Sequence, residues 1–133
     1  LKNGSTNARV VRFHAFEMAQ LFEPAEIDNI YVHFPDPWVE PLRPKRRLIN
    51  QANLEMFYQL QKPGSFLDFK TDSRDYFLWA QQEIKASPYQ VEYETLNLHG
   101  TDSPYAKENF ITYFESLFIQ RKIEINFVRL RKK

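Results

Sequence analysis

The 133-residue sequence has no cysteine, only three glycines, and no apolar run near the roughly 20 residues that a bilayer-spanning helix needs. The lack of cysteine excludes disulfides, iron–sulfur clusters and catalysis by a thiolate. No signal peptide is expected, because the first nine residues are polar apart from Leu1 and Ala8. The three histidines, His14, His33 and His99, are too scattered to predict a zinc site. These absences leave the compartment open but fit the cytosol, and they disfavour a membrane span and a metal site.

Positive charge is concentrated in two segments, although the formal net charge is only +1. Segment 43–47 carries Arg43, Lys45, Arg46 and Arg47, and segment 121–133 carries six basic residues against Glu124 alone. Local basic patches on a nearly neutral chain are typical of proteins that bind a polyanion such as RNA. The alternative is an ordinary solvated surface with a basic tail.

A proline-flanked aspartate follows the apolar run 29–33, in the segment Phe34-Pro35-Asp36-Pro37-Trp38. The run predicts a buried strand, and the two prolines stiffen the backbone on both sides of Asp36. Open α/β sheets bind their ligands at the carboxyl ends of strands, so this carboxylate is a candidate functional group. The alternative is a turn aspartate that accepts hydrogen bonds only from neighbouring amides.

Alternating strand and helix patterns predict an α/β fold in one domain. The predicted strands are Arg9–Phe13, Asn29–Phe34, Ser65–Thr71, Gln90–Leu96 and Ile123–Leu130. The predicted helices are Ala15–Phe22, Gln51–Gln61, Arg74–Ala86 and Phe110–Gln120, with a Pro- and Arg-rich loop at 35–50 and a polar loop at 97–109. We expect a mostly parallel sheet with an antiparallel last strand, and Val91, Tyr93 and Thr95 on one face of the fourth strand.

Four motifs occur in a fixed order between residues 7 and 130. They are FPDPW at 34–38, KRRL at 45–48, Thr71-Asp72 after the Pro63-Gly64-Ser65 turn, and Thr112-Tyr113-Phe114-Glu115. In these motifs and their spacing the chain resembles the bacterial tRNA (guanine-N7)-methyltransferases. That resemblance implies a class I, Rossmann-like methyltransferase sheet, S-adenosyl-L-methionine as methyl donor and tRNA as substrate.

The resemblance is incomplete at its amino-terminal side. Class I methyltransferases hold the cofactor with a Gly-rich loop after their first strand, and Gly4, Gly64 and Gly100 form no such loop. Residues 1–133 are therefore expected to be the carboxyl-terminal portion of a single methyltransferase domain. Alone, this portion is expected to be inactive, to bind the cofactor weakly and to self-associate through an open strand edge at 29–34.

The resemblance also assigns roles at the reaction centre. Asp36 is the predicted catalytic residue and a cofactor contact. His14 is a second predicted cofactor contact, at a position where the family has an acid. Asp72 and Glu115 are suited to accept hydrogen bonds from guanine N1–H and N2–H₂, and Thr112 to donate one to the purine. Two alternatives are open: Asp72 or Ser73 caps the following helix, and Thr112 with Glu115 forms a capping box.

The basic segment is expected to bind phosphates. Arg43, Lys45, Arg46 and Arg47 are the predicted RNA contacts, which would position tRNA without reading its sequence. Glu40 stands where the family has a substrate-contacting lysine, and is counted among the predicted substrate contacts. Trp38 either stacks on a base or, as the more common case, packs under the loop.

Together these assignments predict methyl transfer to N7 of a guanosine in tRNA. A non-catalytic, degenerate tRNA-binding relative is the main alternative, because His14 and Glu40 depart from the family pattern. A small-molecule methyltransferase is a weaker alternative, which the basic segments disfavour.

Overall fold

The computed structural model describes residues 4, 6–39 and 44–133. Its strands are β1 (Ile30–His33), β2 (Phe66–Thr71), β3 (Gln90–Thr95) and β4 (Asn126–Arg131). Its α-helices are α1 (Gln51–Leu60), α2 (Arg74–Lys85), α3 (Pro104–Glu108) and α4 (Tyr113–Gln120). Short 3₁₀ helices span Ala15–Gln20, Pro44–Arg46 and Leu98–Gly100.

The four strands form one sheet in the order β1-β2-β4-β3. β1 pairs parallel to β2, and β4 lies antiparallel between β2 and β3. Three strands thus share one direction and the last strand opposes them, which confirms the predicted arrangement. Within the described part of the chain, β1 pairs only with β2, so it lies at the sheet edge as expected.

Helices α1 and α2 cover one face of the sheet because their apolar residues recur at helical spacing. Leu54 and Phe57 of α1, and Phe77, Ala80 and Ile84 of α2, are buried in the main core. The sheet contributes alternate residues to the same core, namely Val32, Leu67, Phe69, Val128 and Leu130.

A smaller core lies on the opposite face, where Leu98, Ile125 and Phe127 are buried. Phe118 of α4 and Phe34, just after β1, pack against it, with ring centroids 5.4 Å apart. This contact places α4 beside the carboxyl end of β1, two residues before the proline-flanked aspartate.

The strand predicted at Arg9–Phe13 is not formed. Val10 is 86% exposed and Val11 is 64% exposed, and among the described residues no strand pairs with this segment. Its β-branched pattern fits a strand, but a strand needs the hydrogen bonds of a neighbouring chain segment.

Other boundaries shift for local reasons. The helix predicted at Phe110–Gln120 begins only at Tyr113, because Thr112 takes the N-cap conformation. The loop predicted at 97–109 contains the 3₁₀ helix Leu98–Gly100 and α3. A β-bulge between Val91 and Tyr93 puts them opposite neighbouring residues of β4, so the predicted common face is interrupted. None of the helices in the described ranges is long and apolar enough to cross a membrane.

Candidate active site

The carboxyl ends of β1 and β2 lie side by side. The main-chain N–H of Phe34 donates to the carbonyl oxygen of Lys70 at 2.8 Å, one residue beyond β1. Phe34 then takes a positive φ of 54°, and Trp38 a φ of 42°, values that non-glycine residues seldom adopt. The chain therefore turns sharply at both ends of Pro35-Asp36-Pro37, and Asp36 is exposed at the apex. Such strained backbone is often found at functional sites.

Asp36 lies on the wall of a cleft of about 510 Å³. The cleft is lined by Phe13, His14, Ala15, Phe16, Pro35, Asp36, Trp38, Arg46 and Leu48. The structure thus brings together the two predicted cofactor contacts, Asp36 and His14. His14 also caps the 3₁₀ helix after it, because its Nδ1 accepts from the N–H of Phe16 at 3.3 Å.

Arg47 is buried, with 3% of its surface exposed, unlike the other basic residues that the structure describes in this segment. Its Nε donates to the carbonyl oxygen of Pro37, and its Nη2 donates to Oδ2 of Asp75, each at 2.7 Å. The guanidinium also lies 4.9 and 5.0 Å from the ring centroids of Tyr76 and Trp79. The phosphate contact predicted for Arg47 stays a prediction that this geometry does not support, because its donors face α2 and the FPDPW turn.

Lys45 and Arg46 are exposed, and they remain the candidate phosphate contacts in the described part of segment 43–47. Arg46 places its guanidinium carbon 5.3 Å from the centroid of the Trp38 ring. Trp38 is partly buried beneath it and also lines the cleft, a placement that fits both packing and stacking. The predicted contacts Glu40 and Arg43 lie outside the described residues.

Asp72 is exposed at the carboxyl end of β2. The N-cap of α2 is Ser73, whose hydroxyl accepts from the N–H of Tyr76 at 3.1 Å. The helix therefore does not need the Asp72 carboxylate as its cap, and that carboxylate is available to a ligand.

Thr112 and Glu115 form the capping box of α4. The Thr112 hydroxyl oxygen accepts from the N–H of Glu115 at 3.2 Å, which uses a lone pair and leaves the hydroxyl hydrogen free to donate. Glu115 is completely buried and accepts from Lys70, His99 and Asn109. Thr112 can serve as cap and ligand contact together, whereas Glu115 is already occupied by protein donors. Base contact by Glu115 stays a prediction that no geometry here supports.

Burial and hydrogen bonding act in opposite directions on Glu115. Burial raises the pKa of this carboxyl group, but the hydrogen bonds from Lys70 and His99 and the charge of Lys70 outweigh burial. The pKa of Glu115 is consequently held below its usual range, and the group is a carboxylate at neutral pH.

Sequence reasoning missed the charged residues of β2. Asp68 and Lys70 alternate with apolar residues and read as solvent-facing, yet they are 5% and 0% exposed. Asp68 forms a bidentate pair with Arg129 at 2.8 Å, and Lys70 pairs with Glu115. No local feature of the sequence marks the partners of Lys70 and Asp68, which lie 45 and 61 residues further along the chain.

A second groove, of about 440 Å³, crosses the sheet face opposite α1 and α2. Tyr31, His33, Phe66, Asp68 and Arg129 are among the residues that line it. Burial, with the nearby charge of Lys70, lowers the pKa of His33 to about 4, against the opposing effect of Glu115. His33 is therefore neutral at physiological pH. The described residues contain no group of three or more acidic or histidine side chains that could hold a metal ion.

The chain is similar to known proteins over almost its whole length. A family model described as "Putative methyltransferase" matches residues 2–127. The tRNA (guanine-N(7)-)-methyltransferase of Bdellovibrio bacteriovorus is 54% identical over 129 residues, which are 97% of this chain and 61% of that protein. The protein of the same name from Clostridium novyi is 33% identical over 127 residues, 96% of this chain and 58% of that protein. The chain thus spans about three fifths of the length of these relatives.

The fold has solved counterparts. A SAM dependent methyltransferase from Archaeoglobus fulgidus superposes with a TM-score of 0.54 at 13% identity, covering 98% of this chain and 71% of that one. At this identity the similarity shows a common fold, which agrees with the mixed sheet described above.

Proposed function

Because the chain belongs to the methyltransferase family whose model matches residues 2–127, we propose that the full-length protein methylates N7 of a guanosine in tRNA. One observation supports the choice of tRNA as substrate: the chain is 54% identical, over 97% of its length, to a protein named for that reaction. The geometry of the cleft supports the chemistry.

Methylation of guanine N7 needs positioning more than proton transfer. The N7 atom has an in-plane lone pair that base pairing does not use, so no strong base is required. The rate then depends on holding the nucleophile in line with the methyl group. A carboxylate on a backbone fixed by two prolines, as at Asp36, is suited to this task. We assign it to orient the reacting groups by accepting a hydrogen bond or by facing the cationic donor.

The cleft fits part of the methyl donor. Aromatic walls at Phe13, Phe16 and Trp38 suit a planar base, and the Asp36 carboxylate suits a positive charge. When bound, S-adenosyl-L-methionine supplies the methyl group. Of the residues present, we assign Asp36 and His14 to its site, with His14 offering the imidazole edge that is not used in capping. The sequence has no Gly-rich loop, so these contacts are a portion of the site.

Asp72 and Thr112 are the candidates to hold the guanine. The exposed Asp72 carboxylate can accept from N1–H and N2–H₂ together, a donor pair that selects guanine. Thr112 can donate its free hydroxyl hydrogen to a purine acceptor. Lys45 and Arg46, both exposed, would contact phosphates and so position the tRNA without reading its sequence. A tRNA substrate implies a cytoplasmic enzyme.

The test is a methylation assay with full-length protein, unmodified tRNA transcripts and S-adenosyl-L-methionine labelled in its methyl group. We expect label on a guanosine, located by reduction and aniline cleavage, which break the chain at N7-methylguanosine. A transcript with 7-deazaguanosine at that position is the matched control, because it keeps the pairing edge and lacks the nucleophile.

The outcomes separate the proposed function from its alternatives. Label at another atom would contradict guanine-N7 transfer. Tight tRNA binding with no label would favour the non-catalytic relative, which no observation on the described residues favours now. Transfer to a small molecule and not to tRNA would favour the third alternative.

A further inference from the structure

Lys70 is a completely buried lysine whose ammonium group has three hydrogen-bond acceptors. Its Nζ donates to Oδ1 of Asn109 at 2.9 Å, to the carbonyl oxygen of Phe110 at 3.0 Å and to Oε1 of Glu115 at 2.5 Å. An ammonium group has three donors, so all of them are used. One side chain thus fixes both ends of segment 109–115.

The main chain of Lys70 holds a second part of the site. Its carbonyl oxygen accepts from the N–H of Phe34, the residue that begins the turn to Asp36, and its Nζ lies 5.7 Å from the centroid of the Phe34 ring. Asp72 follows two residues later in the chain. Lys70 is therefore bonded to the segments that carry Asp36 and Thr112, and it directly precedes Thr71-Asp72.

Glu115 completes the arrangement from the side of α4. Its Oε2 accepts from Nδ2 of Asn109 at 2.9 Å and contacts Nε2 of His99 at 2.5 Å. Its Oε1 accepts from the N–H of Thr112 at 3.5 Å in the capping box. The carboxylate thus links Lys70 to the residue that we assign to guanine.

We propose that Lys70 is a positioning residue for methyl transfer, which acts with its counter-ion Glu115 to hold Thr112 in place relative to Asp36 and Asp72. Lys70 touches no substrate, because it is completely buried. This inference rests on the proposed function, and it changes the part of Glu115 from base contact to anchor.

A second ion pair, between the buried Asp68 of β2 and the partly buried Arg129 of β4, provides a matched control. Asp68 and Arg129 are linked by two 2.8 Å hydrogen bonds on the face of β2 that also carries Lys70. The guanidinium carbon of Arg129 lies 3.8 Å from the ring centroid of Phe66, which is at the beginning of β2. This pair is nearer the amino end of β2, away from the strand ends that carry Asp36 and Asp72. Removing either cation leaves a buried carboxylate without its partner, so both changes should destabilise the fold.

The experiment compares Lys70→Met with Arg129→Met in the full-length protein. We expect Lys70→Met to lower the single-turnover rate of methyl transfer at least tenfold with the tRNA Kd within twofold of wild type. Amide exchange in residues 109–116 should become faster, since their anchor is lost. Arg129→Met should keep the rate within twofold although its Tm also falls. Equal losses of rate in the two variants, or an unchanged rate in Lys70→Met, would overturn the proposal.

A double variant keeps the test decisive if Lys70→Met does not fold. Lys70→Met with Glu115→Leu removes both charges, so no unpaired carboxylate remains buried. The rate should stay at least tenfold low, because Asn109 and the Phe110 carbonyl still lack their donor. A wild-type rate in this variant would show that Lys70 has no positioning role.

Amide exchange also separates this proposal from the proposed function. If the wild-type protein does not methylate tRNA, the proposed function fails, and the exchange data still judge the anchor. If amide exchange in residues 109–116 is unchanged in Lys70→Met, that result alone would overturn the proposal that Lys70 positions Thr112.

Discussion

Arg47 donates a 2.7 Å hydrogen bond from Nε to the main-chain carbonyl oxygen of Pro37, directly after the aspartate of the candidate site. The guanidinium is buried, and it also bonds to Asp75 at the start of α2. The turn that carries Asp36 is therefore held by a hydrogen bond from a buried residue of the neighbouring KRRL motif. Two motifs that are separate in the sequence form one structural unit.

Arg47→Met should weaken the fold and leave the electrostatics of tRNA binding unchanged. Hydrogen bonds to charged groups contribute about 1.5–3 kcal/mol, so we expect the free energy of unfolding to fall by about 2 kcal/mol in urea titrations. Arg46→Met is the matched control and should cost under about 1 kcal/mol, the range of an exposed cation–π contact. A full loss of stability in Arg46→Met, with none in Arg47→Met, would reverse this assignment.

Charge reversal of Lys45 and Arg46 should weaken the electrostatics of tRNA binding and leave the stability of the fold almost unchanged, the opposite of Arg47→Met. Both side chains are exposed, so Lys45→Glu with Arg46→Glu should leave Tm almost unchanged. The slope of log K against log salt for tRNA should become shallower by roughly 0.9 for each lost contact with duplex phosphate. Filter binding over a range of salt concentrations measures this slope, and an unchanged slope would mean that the two residues are only solvated.

Asp36→Asn should separate catalysis from binding. The substitution keeps the size of the side chain and removes its charge, and the flanking prolines should preserve the turn. We expect the rate of methyl transfer in the full-length protein to fall about tenfold or more, which is about 1.4 kcal/mol. The tRNA affinity should stay near wild type, because phosphate contacts supply most of it. Full activity in single-turnover assays would reduce Asp36 to a turn residue.

His33 should make the fold sensitive to acid. Its pKa is lowered to about 4, whereas an unfolded chain binds the proton near 6.5. Between these values the unfolded state holds more protons, so stability falls as pH falls from 6.5 to 4 and is unaffected above 6.5. We expect a loss on the order of 2 kcal/mol across this window in urea titrations.

His33→Gln is the control for this pH dependence. It should remove most of the slope between pH 6.5 and 4. Glu115, whose pKa is held low, should contribute a loss that begins as pH falls through the usual range of a glutamate and grows below it, so most of its effect lies under the window of His33. Equal slopes in wild type and His33→Gln would assign the acid sensitivity to another group.

Helices α1 and α2 and the central strands could be predicted from local pattern alone. Leu54 and Phe57, and Phe77, Ala80 and Ile84, repeat at helical spacing and are buried as expected. The FPDPW turn was located correctly, because two prolines determine backbone geometry within a few residues. Arg9–Phe13 failed as a strand because strand formation depends on a partner, which β propensity does not reveal.

The roles of charged residues depended on partners far away in the sequence. Arg47 looked like its neighbours Lys45 and Arg46, and only its contacts with Pro37 and Asp75 show that it is internal. Lys70 looked like the polar position of an alternating strand, and only the folding of segment 109–115 over it shows that it is buried.

The sequence by itself therefore determined the α/β class, the order of the motifs and the position of Asp36 at a strand end, since each depends on neighbours within a few residues. The tertiary structure decided which charges face solvent and which anchor the site. That division has a physical cause: a buried charge is tolerated only where other groups pair with it, and the chain supplies those groups from distant positions.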